Sequence, residues 1–362
     1  MSYGNSAMVI STTINQHIKG AIKGIVRNNF LLTKLESAGC IRTGMHGRRH
    51  EWRLRHKRSP MRTLGDGGTI IFGRENKHVV ASLEYRAYVV SGSITEQDKE
   101  MNKGESQIVK LWADAVNERI DDIRFGFHEK IWQADGYASG SRDIMGMPSC
   151  MGATANASSI FGTNADTYAG RSTVRGAHGG TFNGSPFWPF GQSDPQYDFH
   201  SPIIVDYTSA LAAESGGWET DVPTWTNTGA QALRTGILCA QRVGENLDCI
   251  HMGFNLYRQF KDSFASDTRL IVQPNTDPKM THLGMQTITY DGVEIRWENG
   301  IPSELAYGLN YKNIELLSLY KQLFKSDSDF DLASSSDRVA IKFLGNLKFK
   351  KLNGMVQWRN LT

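Results

Sequence analysis

The sequence has little of what stapled, secreted or membrane-spanning proteins depend on. Its four cysteines, Cys40, Cys150, Cys239 and Cys249, are scattered through 362 residues and form no Cys-x-x-Cys pair. A disulfide framework is therefore excluded, and Cys239 and Cys249 read as core thiols. Apolar runs such as Val79–Ala81 and Leu238–Ala240 fall far short of the ~18–20 residues that a bilayer crossing requires, so no membrane span is expected. The opening Met1-Ser-Tyr-Gly-Asn5 has neither the basic region nor the apolar stretch of a secretory signal, which points to a protein folding in the cytoplasm where it is made.

Catalytic motifs are missing too. There is no Gly-x-x-x-x-Gly-Lys-Ser/Thr loop, no Gly-x-Gly-x-x-Gly after a strand, no Gly-x-Ser-x-Gly elbow and no His-Glu-x-x-His helix. His46, His50 and His56 stand close together, but the cations around them would repel a divalent ion, so no metal is expected. Asp121-Asp122 falls on a predicted helix, where a solvated face explains it. No residue set assembles an active site or a cofactor site, and an enzyme is not expected.

What is present is a core and an uneven charge. The chain is 40% hydrophobic, 10% aromatic and 21% charged, with a net charge of +3; it has ample apolar material to fold as one large domain or two moderate ones. Thirty-six glycines indicate much backbone in turns. Between Arg42 and Arg62, eight bases face the single acid Glu51. Between Glu96 and Asp135, ten acids outnumber six bases, so one segment complements the other. Three readings of the basic segment are phosphate binding, a solvated face, and docking on an acidic surface of another copy.

Periodicity favours the third. Ile14, Ile18, Ile22, Ile25, Phe30 and Leu35 approximate helical spacing over Thr12–Glu36. From Gly47 to Val90 the period is two: His50, Trp52, Leu54 and His56 alternate with Glu51, Arg53, Arg55 and Lys57. Later Val79, Ala81, Leu83, Tyr85, Ala87 and Val89 alternate with polar residues. This predicts a long two-stranded ribbon, marginal by itself in water, with nothing in its own sequence to supply a second layer.

The clearest helix follows. Ile108, Leu111, Trp112, Ala115, Val116, Ile120, Ile123, Phe127 and Ile131 recur every three or four residues. The continuous helix is expected to start near Glu105 and reach Trp132, on the order of 40 Å. Residues 136–230 read as long loops with a few strands. A helix is expected over Asn227–Arg242, capped by Asn227 or Thr228, with Leu233, Ile237, Leu238 and Ala240 inward. A strand over Leu247–Met252 and a helix over Asn255–Phe264 come next. The last hundred residues read as strands: Gln286–Tyr290 and Val293–Trp297 around Asp291-Gly292, Asn313–Tyr320, and a closing hairpin of Val339–Leu352 and Met355–Leu361 around Asn353-Gly354.

This order of elements resembles the major capsid (coat) proteins of tailed bacteriophages. The residues that carry the likeness are Tyr85-Arg-Ala-Tyr88, Ile94-Thr-Glu-Gln-Asp98 and Asn102-Lys-Gly104 before the long helix, with Asp143-Ile-Met-Gly146 after it. Tyr168-Ala-Gly-Arg-Ser-Thr173, Phe187-Trp188, Tyr290-Asp-Gly-Val-Glu-Ile295, Tyr307-Gly-Leu-Asn310 and Phe343-Leu-Gly-Asn-Leu347 follow in the family's order. The likeness is loose residue by residue but spans almost the whole chain. It departs around Gly191–Trp225, where loops are expanded.

The resemblance implies an α+β, Hong Kong 97-type capsid fold. Its parts would be an N-terminal arm (1–46), an extended β-hairpin loop (47–93) and a peripheral domain with a spine helix (94–150). A mainly axial domain (151–310) and C-terminal strands completing the peripheral domain (311–362) would follow. It implies self-assembly into hexamers and pentamers of an icosahedral shell around double-stranded DNA, contacted non-specifically. Assembly would take place in the host cytoplasm and the product would be the virion. A separate scaffolding protein, a portal and a decoration protein are the candidate partners. The loop residues expected at subunit contacts are Arg48, Arg49, Trp52, Arg53, Leu54, Arg55, Lys57, Arg58 and Arg62. The expected acidic acceptor is Glu96, Asp98, Glu100, Asp114, Glu118, Asp121 and Asp122. The alternative is a cytoplasmic nucleic-acid-binding protein using the ribbon Arg42–Arg62.

Overall fold

The computed structural model describes residues 29–55, 63–70, 72–73, 76–101, 105–154, 160–164, 167–174, 199–209, 218, 222–242, 244–267, 288–331 and 335–361. In chain order the first elements are α1 (Phe30–Ser37), β1 (Ile41–Arg42), β2 (Arg49–Arg55), β3 (His78–Glu84), β4 (Arg86–Thr95), α2 (Glu96–Met101) and α3 (Glu105–Gln133). Short strands β5 (Ala153–Thr154), β6 (Thr163–Asn164), β7 (Thr167–Tyr168) and β8 (Arg171–Ser172) lead to β9 (Ile203–Asp206) and α4 (Trp225–Arg242). Then come β10 (Cys249–Met252), α5 (Phe254–Asp267), β11 (Ile288–Tyr290), β12 (Val293–Trp297) and β13 (Ala306–Leu309). The chain ends with β14 (Ile314–Ser318), β15 (Lys325–Asp331), β16 (Ser336–Phe349) and β17 (Val356–Arg359). It divides into two compact units. One comprises Met1–Arg48, Glu84–Gly146 and Ile314–Lys348; the other comprises Arg49–Leu83, Met147–Asn313 and Phe349–Thr362.

The first unit is built on a five-stranded sheet in the order β1-β14-β16-β15, with β4 also paired to β16. Helix α3 packs on β4 because Val116, Ile120, Ile123, Phe127 and Ile131, three or four residues apart, form one buried stripe. Phe127 anchors it, its ring centroid 4.7 Å from Phe343 and 5.5 Å from Phe324. The side chains of Ile108, Leu111 and Trp112 lie outside the described residues. The segment after α3 is tied back by Asp143, which accepts from Tyr88 Oη at 3.1 Å and Lys130 Nζ at 2.9 Å. The amide of Ile144 donates to the same Tyr88 oxygen at 2.9 Å. In α1, Phe30, Leu31, Leu32 and Leu35 are buried, and the Asn29 side chain caps the helix by accepting from the Leu32 amide at 3.1 Å. The expected helical stripe upstream, Ile14 to Ile25, lies outside the described residues.

The second unit is built on a six-stranded sheet in the order β11-β12-β10-β13-β17-β9. Alternation sends Ile250, Met252, Ile295, Val356, Trp358, Ile203 and Val205 to one face, where α4 and α5 cover them with Leu233, Ile237, Leu256 and Phe260. Trp358 is the centre of this layer: its indole donates to the Ala232 carbonyl at 2.7 Å. Gly236 lets α4 approach, since a Cβ there would stand 2.8 Å from the Trp358 Cε2 and Val356 Cγ1 atoms. The hairpin β11–β12 turns through Asp291 and Gly292, both with positive φ (50° and 79°), as the Asp-Gly pair predicts. The α+β expectation holds: each sheet carries its helices as a separate layer.

Three expectations are corrected. The ribbon does not run unbroken to Val90. It ends at Glu84, and the next strand leaves its partner, because ten residues of β4 register against Ser336–Gly345 of β16 and α3 covers β4. The closing hairpin does not form, since β16 stays in the five-stranded sheet whereas β17 pairs with β13 and β9, where Val356 and Trp358 are fully buried beneath α4. In α4, which starts at Trp225 and not at Asn227 or Thr228, Leu238 is 53% exposed. Leu233, Ile237 and Ala240 already define the inward stripe, and Leu238 lies ~100° around the helix from Ile237.

Gly236→Ala tests this packing. Overpacking against Trp358 costs ~1–3 kcal/mol, to be read as a lower urea midpoint with unchanged m-value; an unchanged midpoint would refute the close approach.

Candidate assembly surfaces

The ribbon's two faces differ. In β2, Trp52 and Leu54 point one way and Arg49, Glu51, Arg53 and Arg55 the other; in β3, Ala81 and Leu83 are buried. The tight turn between β7 and β8 meets β3 along its edge. Ala169 accepts from the Ser82 amide at 3.0 Å, and Arg171 Nε donates to the Val80 carbonyl at 2.8 Å. The Trp52 ring lies 6.5 Å from that of Tyr168 and stacks on His50 at 5.7 Å. The ribbon's own sequence supplies no second layer; at its root the contact comes from the Tyr168–Arg171 turn of the same unit. Leu54 is buried and Trp52 half-buried in the single chain, with the Trp52 ring beside Tyr168.

Arg48, Arg49, Arg53 and Arg55 are exposed, whereas Lys57, Arg58 and Arg62 lie outside the described residues. Arg42, counted with the basic segment, is committed elsewhere. Its guanidinium is 2.6 Å from Glu315, a carboxylate only 1% exposed that Lys348 also reaches at 3.0 Å.

Sequence reading passed over the apolar residues toward the ribbon's tip. Leu64 and Ile70 are each 60% exposed and Phe72 is 91% exposed. The signal was in Ile70-Ile-Phe72, an apolar run inside a segment otherwise made of glycine and polar residues. Exposed side chains of this size are unusual unless something covers them.

The proposed acidic acceptor is partly neutralised by its own helix. Arg119 lies 3.1 Å from Asp122 and 3.9 Å from Glu118, and Arg124 lies 3.3 Å from Asp121. Glu96 and Asp114 are exposed; the side chains of Asp98 and Glu100 lie outside the described residues. The structure thus places Asp114, Glu118, Asp121 and Asp122 together along the exposed side of α3, with arginines between them. Among the described residues no group of His, Cys, Asp and Glu converges as a metal would require, and no helix is long and apolar enough to cross a membrane.

Root and outer face respond differently to substitution. Leu54→Ala should cost ~2–5 kcal/mol of stability, whereas Arg53→Glu should stay within ~0.5 kcal/mol. Equal losses in chemical denaturation would contradict the assignment of the two faces.

Comparison of the sequence with family models and with curated proteins finds no match. Comparison of the structure with solved structures finds capsids. The capsid asymmetric unit of cyanophage A-1(L) aligns at a TM-score of 0.56 and 13% identity, covering 91% of this chain and 92% of that one. The capsid of a native GTA particle aligns at 0.55 and 7% identity, covering 91% and 90%. The architecture that the order of elements suggested is therefore the observed one, and over nine-tenths of its length this chain has the Hong Kong 97-type phage capsid fold.

Proposed function

We propose that the protein is a major capsid protein whose copies assemble into the icosahedral shell of a tailed phage, with a structural rather than an enzymatic role. The observation that carries this reading is the end-to-end likeness to capsid chains, with both lengths covered to about nine-tenths. The unit built on α3 takes the peripheral position, and the six-stranded unit packs around the five- and six-fold axes of pentamers and hexamers. The chain's place is the virion, after assembly in the host cytoplasm. A scaffolding protein, a portal and a decoration protein are its partners, and the packaged double-stranded DNA is contacted through charge alone.

The ribbon is the subunit contact. Its root is held by its own unit, so the part available to a second copy is the tip and the outward face of β2. Burying Leu64, Ile70 and Phe72 supplies affinity at ~25 cal/mol per Å² of apolar area. Exposed ion pairs are worth only ~0–1 kcal/mol each, so Arg49, Arg53 and Arg55 set register and association rate on the acidic side of α3 rather than total affinity. Each contact can be weak because a closed shell multiplies it.

Two variants separate these roles. Phe72→Ala should leave a folded chain that forms few or no shells by electron microscopy. Arg53→Glu with Arg55→Glu and Arg58→Glu should slow or stop assembly while leaving the unfolding midpoint in place. Normal shells from both would remove the ribbon from the assembly mechanism, and failure of the wild-type protein to form any closed particle with its scaffolding partner would sink the capsid reading itself.

A further inference from the structure

The six-stranded sheet has a second face, opposite the one that α4 and α5 cover, and it is polar and buried. Register puts Cys249 beside Glu294, and His251 beside Arg296 on one side and Tyr307 on the other. Cys249, His251, Arg296, Tyr307 and Tyr311 are all less than a tenth exposed. His251 is the centre of this group: its Nε2 lies 3.0 Å from the Tyr311 hydroxyl, and its Nδ1 lies 3.4 Å from a Glu298 carboxylate oxygen. Tyr311 is fixed in turn by its amide, which donates to Asp248 at 2.8 Å. An apolar residue at position 251 would fill this space at lower cost unless the imidazole were needed, since a buried polar ring must be matched by partners.

The charges facing His251 favour its protonated form. On β12 and the turn that follows, Glu294 and Glu298 carry two negative charges against the one positive charge of Arg296, which lies 3.5 Å from Glu294. Cys249 on β10, Tyr307 on β13 and Tyr311 add no cation, and the Cys249 sulfur adds to the negative side. An imidazolium at 251 balances the group; a neutral ring leaves a net negative charge in a site where the Glu298 side chain is only 9% exposed.

The place of this pair in the fold gives it a mechanical consequence. The loop 298–305 lies against the end of β10: the Glu298 amide donates to the Met252 carbonyl at 3.0 Å, and the Gly253 amide donates to the Leu305 carbonyl at 2.9 Å. The contact is close, because a Cβ on Gly253 would stand 2.8 Å from Ser303 Cα. The same corner carries Phe254 and Trp297, an edge-to-face pair 6.1 Å apart that is about half exposed.

We propose that His251 and Glu298 form a buried, proton-dependent latch that holds the 298–305 loop, and with it the exposed Phe254–Trp297 corner, on the central strand of the six-stranded sheet. Burial pushes the imidazole down, but the Cys249 sulfur and the Glu298 carboxylate outweigh it and bring the group up to about 9 from its ordinary 6.5. A folded-state value above the unfolded one means that the latch is fully effective below pH ~6.5 and is lost as pH rises through ~9.

The test follows the histidine signals of the full chain by NMR, with isotope-labelled histidine and the His251 resonance assigned by its disappearance in His251→Gln. The expected result is a charged ring at pH 8, a midpoint near 9, and a midpoint lower by ~1 unit or more in Glu298→Gln. Amide exchange in β10, β12 and the 298–305 loop should speed up ~10-fold beyond the intrinsic pH effect between pH 8 and 10, and the excess should vanish in Glu298→Gln. A neutral His251 at pH 8, or a midpoint that Glu298→Gln leaves in place, would overturn the latch. Should Glu298→Gln fail to fold, the charge state of the wild-type ring decides alone.

Discussion

The burial of one face of the ribbon on the turn between Tyr168 and Arg171 governs what the rest of the chain can do. Leu54, Ala81 and Leu83 are buried in the single chain, and two hydrogen bonds tie β3 to that turn, so the ribbon's root is fixed before any second copy arrives. The ribbon's most exposed apolar side chains, Leu64, Ile70 and Phe72, lie toward the tip, while Val80 in β3 is about half exposed. On the proposed reading, Leu64, Ile70 and Phe72 are the apolar part of the contact with a second copy, and a root already fixed lowers the entropy cost of association.

The two sheets solve the same problem in different ways. The six-stranded sheet buries an apolar face under α4 and α5 and keeps a second, polar face that is also buried. The five-stranded sheet buries its inner face under α3, whose outer side carries acids interleaved with Arg119 and Arg124. That interleaving pairs part of the negative charge on the exposed side of α3 and leaves the acids in excess. A basic partner strand meeting it must compete with the helix's own arginines, which suits a contact that chooses register more than one that supplies strength.

Much of this was legible in the sequence, for identifiable reasons. The spine helix was visible because Val116, Ile120, Ile123, Phe127 and Ile131 obey one period over many turns, and the Asp291-Gly292 hairpin because only a few residue pairs tolerate that turn. The exchange of strands was not legible. Alternation shows that Arg86–Thr95 and Val356–Arg359 are strands, but it does not say which strands they pair with, so a continuous ribbon and a closing hairpin were the simplest readings and both were wrong. Of the candidate site, the arginines on the outward face of β2 could be read directly. The inward roles of Trp52 and Leu54 could not, because their partner Tyr168 lies more than a hundred residues away. The partner of Arg42 could not be read for the same reason: Glu315 is distant in sequence and adjacent in space. The buried His251 pair has no local signature at all.

The central claim is that the ribbon's tip is open in the separate chain and covered by another copy in the assembled particle. Hydroxyl-radical footprinting with mass-spectrometric readout at Phe72 measures this directly, comparing dissociated subunits with intact shells. The account predicts heavy labelling of Phe72 in the subunit and ~10-fold or greater protection in the shell, while Leu54 is protected in both. Equal labelling of Phe72 in the two states, or a Phe72 already protected in the separate subunit, would contradict it.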